Sequence, residues 1–261
     1  MRLLYRSLLW SAYLVLFVSI WLIIRYPWMI IVSLVWWYML YLPYTIQVKH
    51  TQIGKWLRIA LISDLHLWLH KKQWFLSDVI QHINLLDTDI VMVAWDRTYE
   101  PSHGALRDIF KPLTLINKPI FWVLWNHDMQ DPGLDITQEL IDVLNSYNVQ
   151  LIDNKKIIYN WYEIVWLADQ NPDLKLVSQQ SIVLTHNPDM TQLYTIRPQI
   201  TLCGHTHHGQ IRLWWLEHTY IPTKHRYTHW YFDRLFISQW CGEVLLPIRY
   251  GTRPTIDVIQ L

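Results

Sequence analysis

Val123-Leu124-Trp125-Asn126-His127-Asp128 runs apolar and then stops in three polar side chains able to hold a cation or move a proton. The same event occurs four more times. Leu57–Ser63 runs into Asp64-Leu65-His66, and Asp89–Trp95 runs into Asp96. Ser181–Thr185 runs into His186, and Ile200–Gly204 runs into His205-Thr206-His207. Short runs rich in Ile, Val and Leu read as buried strands. In α/β sheets, ligands gather just beyond the carboxyl ends of strands. Five strands delivering Asp, Asn and His to one rim describe a polynuclear metal site.

Working outward, composition shifts sharply near residue 44 of the 261-residue chain, which divides it into 1–44 and 45–261. The second part is a reasonable size for one α/β domain with a sizeable core. Twenty-two basic side chains nearly balance 21 acidic ones, so no basic patch argues for a nucleic-acid partner. Two cysteines, Cys203 and Cys241, allow one disulfide but no disulfide framework, and a reducing compartment fits better. Cys203 reads as a small buried strand residue.

Residues 1–44 read as membrane material. Ser7–Ile24 is uncharged and mostly apolar, Arg25-Tyr26-Pro27 interrupts it, and Trp28–Leu42 is apolar again. A span needs about 20 apolar residues, so the first segment qualifies and the second is short. A secretory signal peptide is the main rival, but no small-residue cleavage site is evident and a second apolar segment follows. A single span with an interfacial segment is the other alternative. The expectation is a helical hairpin. Arg2 and Arg6 before it, and Lys49, Lys55 and Arg58 after it, are expected to put both ends and residues 45–261 in the cytoplasm.

Residues 45–56 read as a polar connector. Strands are expected at 57–63, 89–94, 118–124, 149–152, 156–159, 162–168, 181–185, 199–203, 209–213, 233–238 and 255–260. Helices are expected at 73–86, 105–110 and 135–147, from apolar stripes such as 75, 76, 79, 80 and 83. Asn160-Trp161 is a hairpin turn. The sum is an α/β fold: a two-sheet sandwich flanked by helices, preceded by a transmembrane hairpin.

Each polar cluster is weak alone. An Asp-x-His can be an ordinary loop, and Asn-His-Asp can cap a helix. Gly204-His205-Thr206-His207 is more specific, since it pairs two imidazoles after a strand, with Gly allowing close backbone approach. In this order, each after a strand, the set Asp64-Leu65-His66, Trp95-Asp96, Asn126-His127-Asp128, His186 and Gly204-His205-Thr206-His207 resembles the calcineurin-like metallophosphoesterase superfamily over residues 57–261. Pro247–Pro254 and His207–Arg212 resemble a membrane-anchored bacterial subgroup that includes UDP-2,3-diacylglucosamine pyrophosphohydrolase-like proteins.

The resemblance implies a dinuclear centre. Asp64, His66 and His207 would hold one metal, Asn126, His186 and His205 the other, and Asp96 would bridge them. Oxygen and imidazole donors without thiolate suit two divalent ions such as Mn, Fe or Zn. Such a pair lowers the pKa of a bound water, and the resulting hydroxide attacks phosphorus. His127, next to ligand Asn126, is placed to stabilise developing charge or protonate the leaving oxygen. Asp128 either orients His127 or caps the following helix. The implied substrate is a phosphate ester or pyrophosphate, lipid-linked if the subgroup resemblance carries over. A nucleotide phosphodiesterase is the alternative, as is a non-catalytic binding protein whose cleft is blocked by Trp95 and Trp125. Arg212, Arg249 and Arg253 either meet phosphate or, more commonly, pair with carboxylates. His70, His82, His103, His218, His225 and His229 read as surface or loop residues.

The chain has 17 Trp and only 7 Gly. Trp68, Trp95, Trp125, Trp166, Trp230 and Trp240 stand where the resembled family usually has Gly. Trp161 takes the second place of a hairpin turn that wants φ > 0. Drift does not convert Gly selectively into the bulkiest residue. The expectation is a decoding artefact, in which UGA codons that the host reads as glycine are written as tryptophan.

Overall fold

The computed structural model describes residues 17–21, 24–67, 71–94, 104–123, 137–151, 154–168, 171–206, 210–212, 230–243 and 246–261. Among the described residues, twelve strands form two six-stranded sheets. The first takes β1 (Gln47–Gln52), β2 (Arg58–Ser63), β3 (Ile90–Ala94), β4 (Ile120–Val123), β5 (Val149–Leu151) and β12 (Thr255–Gln260), in the order β1-β12-β2-β3-β4-β5. The second takes β6 (Lys155–Tyr159), β7 (Tyr162–Trp166), β8 (Ser181–Leu184), β9 (Ile200–Cys203), β10 (Trp230–Phe232) and β11 (Leu235–Ile237), in the order β10-β11-β9-β8-β7-β6. Strands β2 to β5 run parallel, as do β7, β8, β9 and β11.

Period-two alternation explains the layers. Ile59 and Leu61 of β2 point into a core shared with Ile182 and Leu184 of β8 and Ile200 and Leu202 of β9. Ala60 and Ile62 point the other way, onto helices α2 (Gln73–Leu85), α3 (Ala105–Phe110) and α4 (Thr137–Ser146). Both faces of β2 are buried, so it reads as a continuous apolar run. The helices bury the stripes their spacing predicts, Phe75, Leu76, Val79, Ile80 and Ile83 on α2 and Leu140, Val143 and Leu144 on α4. The outer face of the second sheet is covered by short turns that bring Val177 and Met190 against Val165 and Val183.

Three expectations are corrected. The polar stretch 45–56 contains β1, which pairs in parallel with β12 at the sheet edge; half-exposed edge strands need no apolar run. The expected strand 233–238 is a hairpin arm, because Asp233 and Arg234 take φ of 42° and 67° and turn β10 into β11. Residues 209–213 contribute only a bridge, Ile211 to Tyr250, among the described residues.

Leu42–Leu261 forms one compact unit and Met1–Tyr41 another. In the latter, α1 (Met29–Tyr41) is apolar all round, carries no charge and buries no residue. Its 13 residues rise to about 20 Å, against a hydrocarbon core of about 30 Å. Among the described residues no helix is long and apolar enough to cross a membrane, so the expected transmembrane hairpin finds no support there.

Candidate metal centre at the strand ends

The chain turns sharply as it leaves β2: Asp64 and His66 both take left-handed φ, 48° and 41°. That turn drops the Asp64 carboxylate under the end of β9. The His205 backbone N–H donates to Asp64 Oδ2 at 3.1 Å. Gly204 is required here, because a Cβ would lie 2.5 Å from Asp64 Oδ2 and 2.7 Å from Ser63 Cβ. The Gly204 N–H in turn donates to the His186 carbonyl at 3.1 Å, tying β9 to the end of β8.

Three side chains of ligand type therefore meet. His186 Nε2 lies 3.1 Å from His205 Nδ1 and 3.8 Å from Asp64 Oδ1. The two imidazoles are 4.9 Å apart between centroids and inclined at 68°. Asp64 and His186 are buried and His205 is partly exposed. Burial pushes the Asp64 carboxyl up to about 7, against the opposing pull of Ser63, the His205 N–H and the Arg249 charge. A buried carboxylate beside two imidazoles is costly unless a cation joins it. The donor set of oxygen and imidazole nitrogen, without thiolate, fits a divalent cation of the Mn, Fe or Zn kind. Cys203 stays out of it: its thiol is raised well above its usual range by burial, and it faces the Phe236 carbonyl. Both cysteines are free.

Of the eight residues singled out from sequence, Asp64, His186 and His205 converge. His66 lies on the same turn, with its ring edge-on to Trp240 at 5.3 Å. Asp96, Asn126, His127 and His207 lie outside the described residues, as do Trp68, Trp95 and Trp125. Among the described residues no group of three or more His, Cys, Asp or Glu side chains is disposed to hold a metal by itself. The converging trio is a partial set.

Behind this trio is a buried ionic cluster: Arg249 pairs with a carboxylate, the commoner of its two expected fates, but the sequence reading missed Glu243 and Lys71. Lys71 Nζ donates to Glu243 Oε1 at 2.9 Å and to the Cys241 carbonyl at 2.6 Å. Arg249 Nε donates to the same Oε1 at 2.6 Å, and its NH2 to the Gly242 carbonyl at 2.6 Å. Burial pulls Lys71 down to about 7 against the attraction of Glu243. The cluster clamps residues 241–243, whose backbone donates from Cys241 to the Ser63 carbonyl and from Gly242 to the Asp64 carbonyl. It thereby fixes the Asp64 turn from below. Nothing in the sequence could pair Lys71 with a carboxylate 172 positions away.

No protein-family model matches the chain. It is 28% identical over 185 residues to an uncharacterised metallophosphoesterase of Campylobacter jejuni, covering 64% of this chain and 48% of that protein. The chain thus spans about half the length of that relative. It is 23% identical to phosphodiesterase YaeI of Escherichia coli, with 78% of this chain and 82% of that one covered. It is 28% identical to the uncharacterised metallophosphoesterase YkuE of Bacillus subtilis, with 78% of each covered. The chain is thus similar to proteins named as metallophosphoesterases or as a phosphodiesterase.

Proposed function

We propose that the chain is a membrane-anchored, dinuclear metal-dependent phosphoesterase that hydrolyses a phosphate ester or pyrophosphate. The observation that carries this reading is the meeting of Asp64, His186 and His205 at the ends of β2, β8 and β9. Asp64, His66 and His207 would hold one cation, Asn126, His186 and His205 the other, with Asp96 between them. Two divalent cations would supply Lewis acidity toward the phosphoryl oxygens and a water of lowered pKa. The chain's own part is to fix ligands and move a proton. The Asp64 turn and the Gly204 approach preorganise the donors. His127 gives a proton to the leaving oxygen as the P–O bond breaks and water supplies the new P–O bond.

Membrane attachment is part of the proposal. Its support is α1, uniformly apolar and exposed, with Trp36, Trp37 and Tyr41 on its surface. A lipid-linked substrate would follow from that placement, with the domain on the cytoplasmic side. A soluble-nucleotide phosphodiesterase is the second reading; the E. coli relative is named a phosphodiesterase. A non-catalytic binding protein is favoured only by Trp240 lying against His66.

The test is a metal-dependence assay on the full chain with phosphodiester, pyrophosphate and lipid-linked substrates side by side. Loading with Mn, Fe or Zn should switch on hydrolysis of one class. His127→Ala should lower turnover about 10²–10⁴-fold with metal still bound, and Asp96→Asn should lose both metal and turnover. Unchanged hydrolysis in Asp96→Asn would sink the bridging role. No turnover of any class at full metal loading would move the reading to the binding protein.

A further inference from the structure

Among the described residues, eleven non-glycine residues take left-handed φ. Eight are Asn, Asp or His, types enriched in that region. The other three are Trp161, Arg234 and Trp240, and for such bulky side chains the conformation is an outlier. Trp161 closes the two-residue loop between β6 and β7, after Asn160, with φ of 44° and 72° in succession. Two positive φ values in a two-residue hairpin are the signature of the turn that prefers Asn-Gly. The Trp161 side chain is 98% exposed, so no packing offsets the strain.

Trp240 is the more consequential case. Its φ is 64°, and its backbone is held on both sides. Its carbonyl accepts from the Thr255 N–H, and the next two N–H groups donate to the Ser63 and Asp64 carbonyls. Its indole is 1% exposed and lies close to two groups of the site. The His66 ring is 5.3 Å away between centroids, edge-on. The Arg249 guanidinium lies over the indole, 5.3 Å from its centre. Arg249 is itself fully buried, and its NH1 has no hydrogen-bond partner among the described residues. Arg249 thus spends Nε and one terminal nitrogen on Glu243 and Gly242 and keeps NH1, beside the indole, for a further acceptor.

We propose that residue 240, like residue 161, is glycine in the protein its host makes, and that the space this frees between His66 and Arg249 receives a phosphate group, with Arg249 NH1 donating to it. Arg249 then binds the phosphoryl oxygens of the substrate. The inference rests on the phosphoesterase reading only in taking phosphate as the anion.

The test uses the full chain as written, Trp161→Gly, Trp161→Ala, Trp240→Gly and Trp240→Gly with Arg249→Lys. Inorganic phosphate is titrated calorimetrically in chelator, so no hydrolysis or metal enters the result. Trp240→Gly should bind phosphate at least about tenfold more tightly than the chain as written, and Arg249→Lys should remove the gain. Trp161→Gly should melt above both Trp161→Ala and the chain as written. An unchanged phosphate affinity, a gain that survives Arg249→Lys, or a Trp240→Gly chain that no longer folds would each overturn the proposal. So would tryptophan at 161 and 240 in peptides of the protein from its own host. Failure of the phosphoesterase reading would show instead in the metal-dependent assay, with the phosphate titration untouched.

Discussion

Gly204 illustrates how one residue sets the geometry of the site. A side chain there would collide with Asp64 and Ser63 at a point where both are buried. Gly204→Ala should therefore force β9 away from β2. The expected cost is about 1–3 kcal/mol in urea unfolding, together with weaker metal binding. Unchanged metal affinity would mean that His205 is not held by this approach. Asp257 makes a second prediction. Burial raises its carboxyl to about 6, although the Ser238 hydroxyl and the Gln239 N–H donate to it. A carboxyl whose folded pKa stands above its unfolded value of about 4 favours the fold only while protonated. Its contribution is complete below about pH 4 and is lost as pH rises through about 6. Asp257→Asn should flatten the fall in melting temperature across that window, and an identical pH profile would refute the assignment.

At the scale of elements, the segment from Ser238 to Glu243 is the floor of the site, although it has no regular structure of its own. It is fixed by backbone hydrogen bonds to the end of β2 and by Lys71 and Arg249 converging on Glu243. Removing the shared carboxylate with Glu243→Gln leaves the buried Arg249 guanidinium uncompensated and takes from Lys71 the attraction that holds its proton. That should cost about 3–5 kcal/mol of stability by urea titration; a loss under about 1 kcal/mol would place the cluster's weight elsewhere. The element boundaries divide by physical cause. Strands β2, β3, β8 and β9 were legible because both faces are buried and the chain is apolar throughout. β1 was not, because an edge strand with half-exposed side chains looks like a connector. The β10–β11 hairpin was not, because Asp233-Arg234 carries no glycine to announce a turn.

For the whole molecule, two parallel-rich sheets stacked face to face bring the ends of β2, β8 and β9 to one rim. Since Leu42–Leu261 is a compact unit by itself, a chain beginning at Leu42 should fold and stay in the supernatant with phospholipid vesicles. The full chain should sediment with them; equal partitioning of the two would remove the membrane anchor. Sequence alone determined the two-sheet α/β class, most strand and helix positions, and the sites along the chain where ligand-type residues follow apolar runs. Periodicity and burial are local properties, so they can be read in one dimension. It also flagged Trp161 as out of place, since turn chemistry is local too; Trp240 stood out only through the family resemblance. Only the tertiary structure decided which of those residues meet. The contacts of Asp64 with His186 and His205, and of Lys71 with Glu243, join strands and loops more than a hundred positions apart. Such contacts depend on sheet order and on the Gly204 approach. Arg249 pairs with a carboxylate only six positions away, yet its burial beside Trp240 is likewise a tertiary outcome.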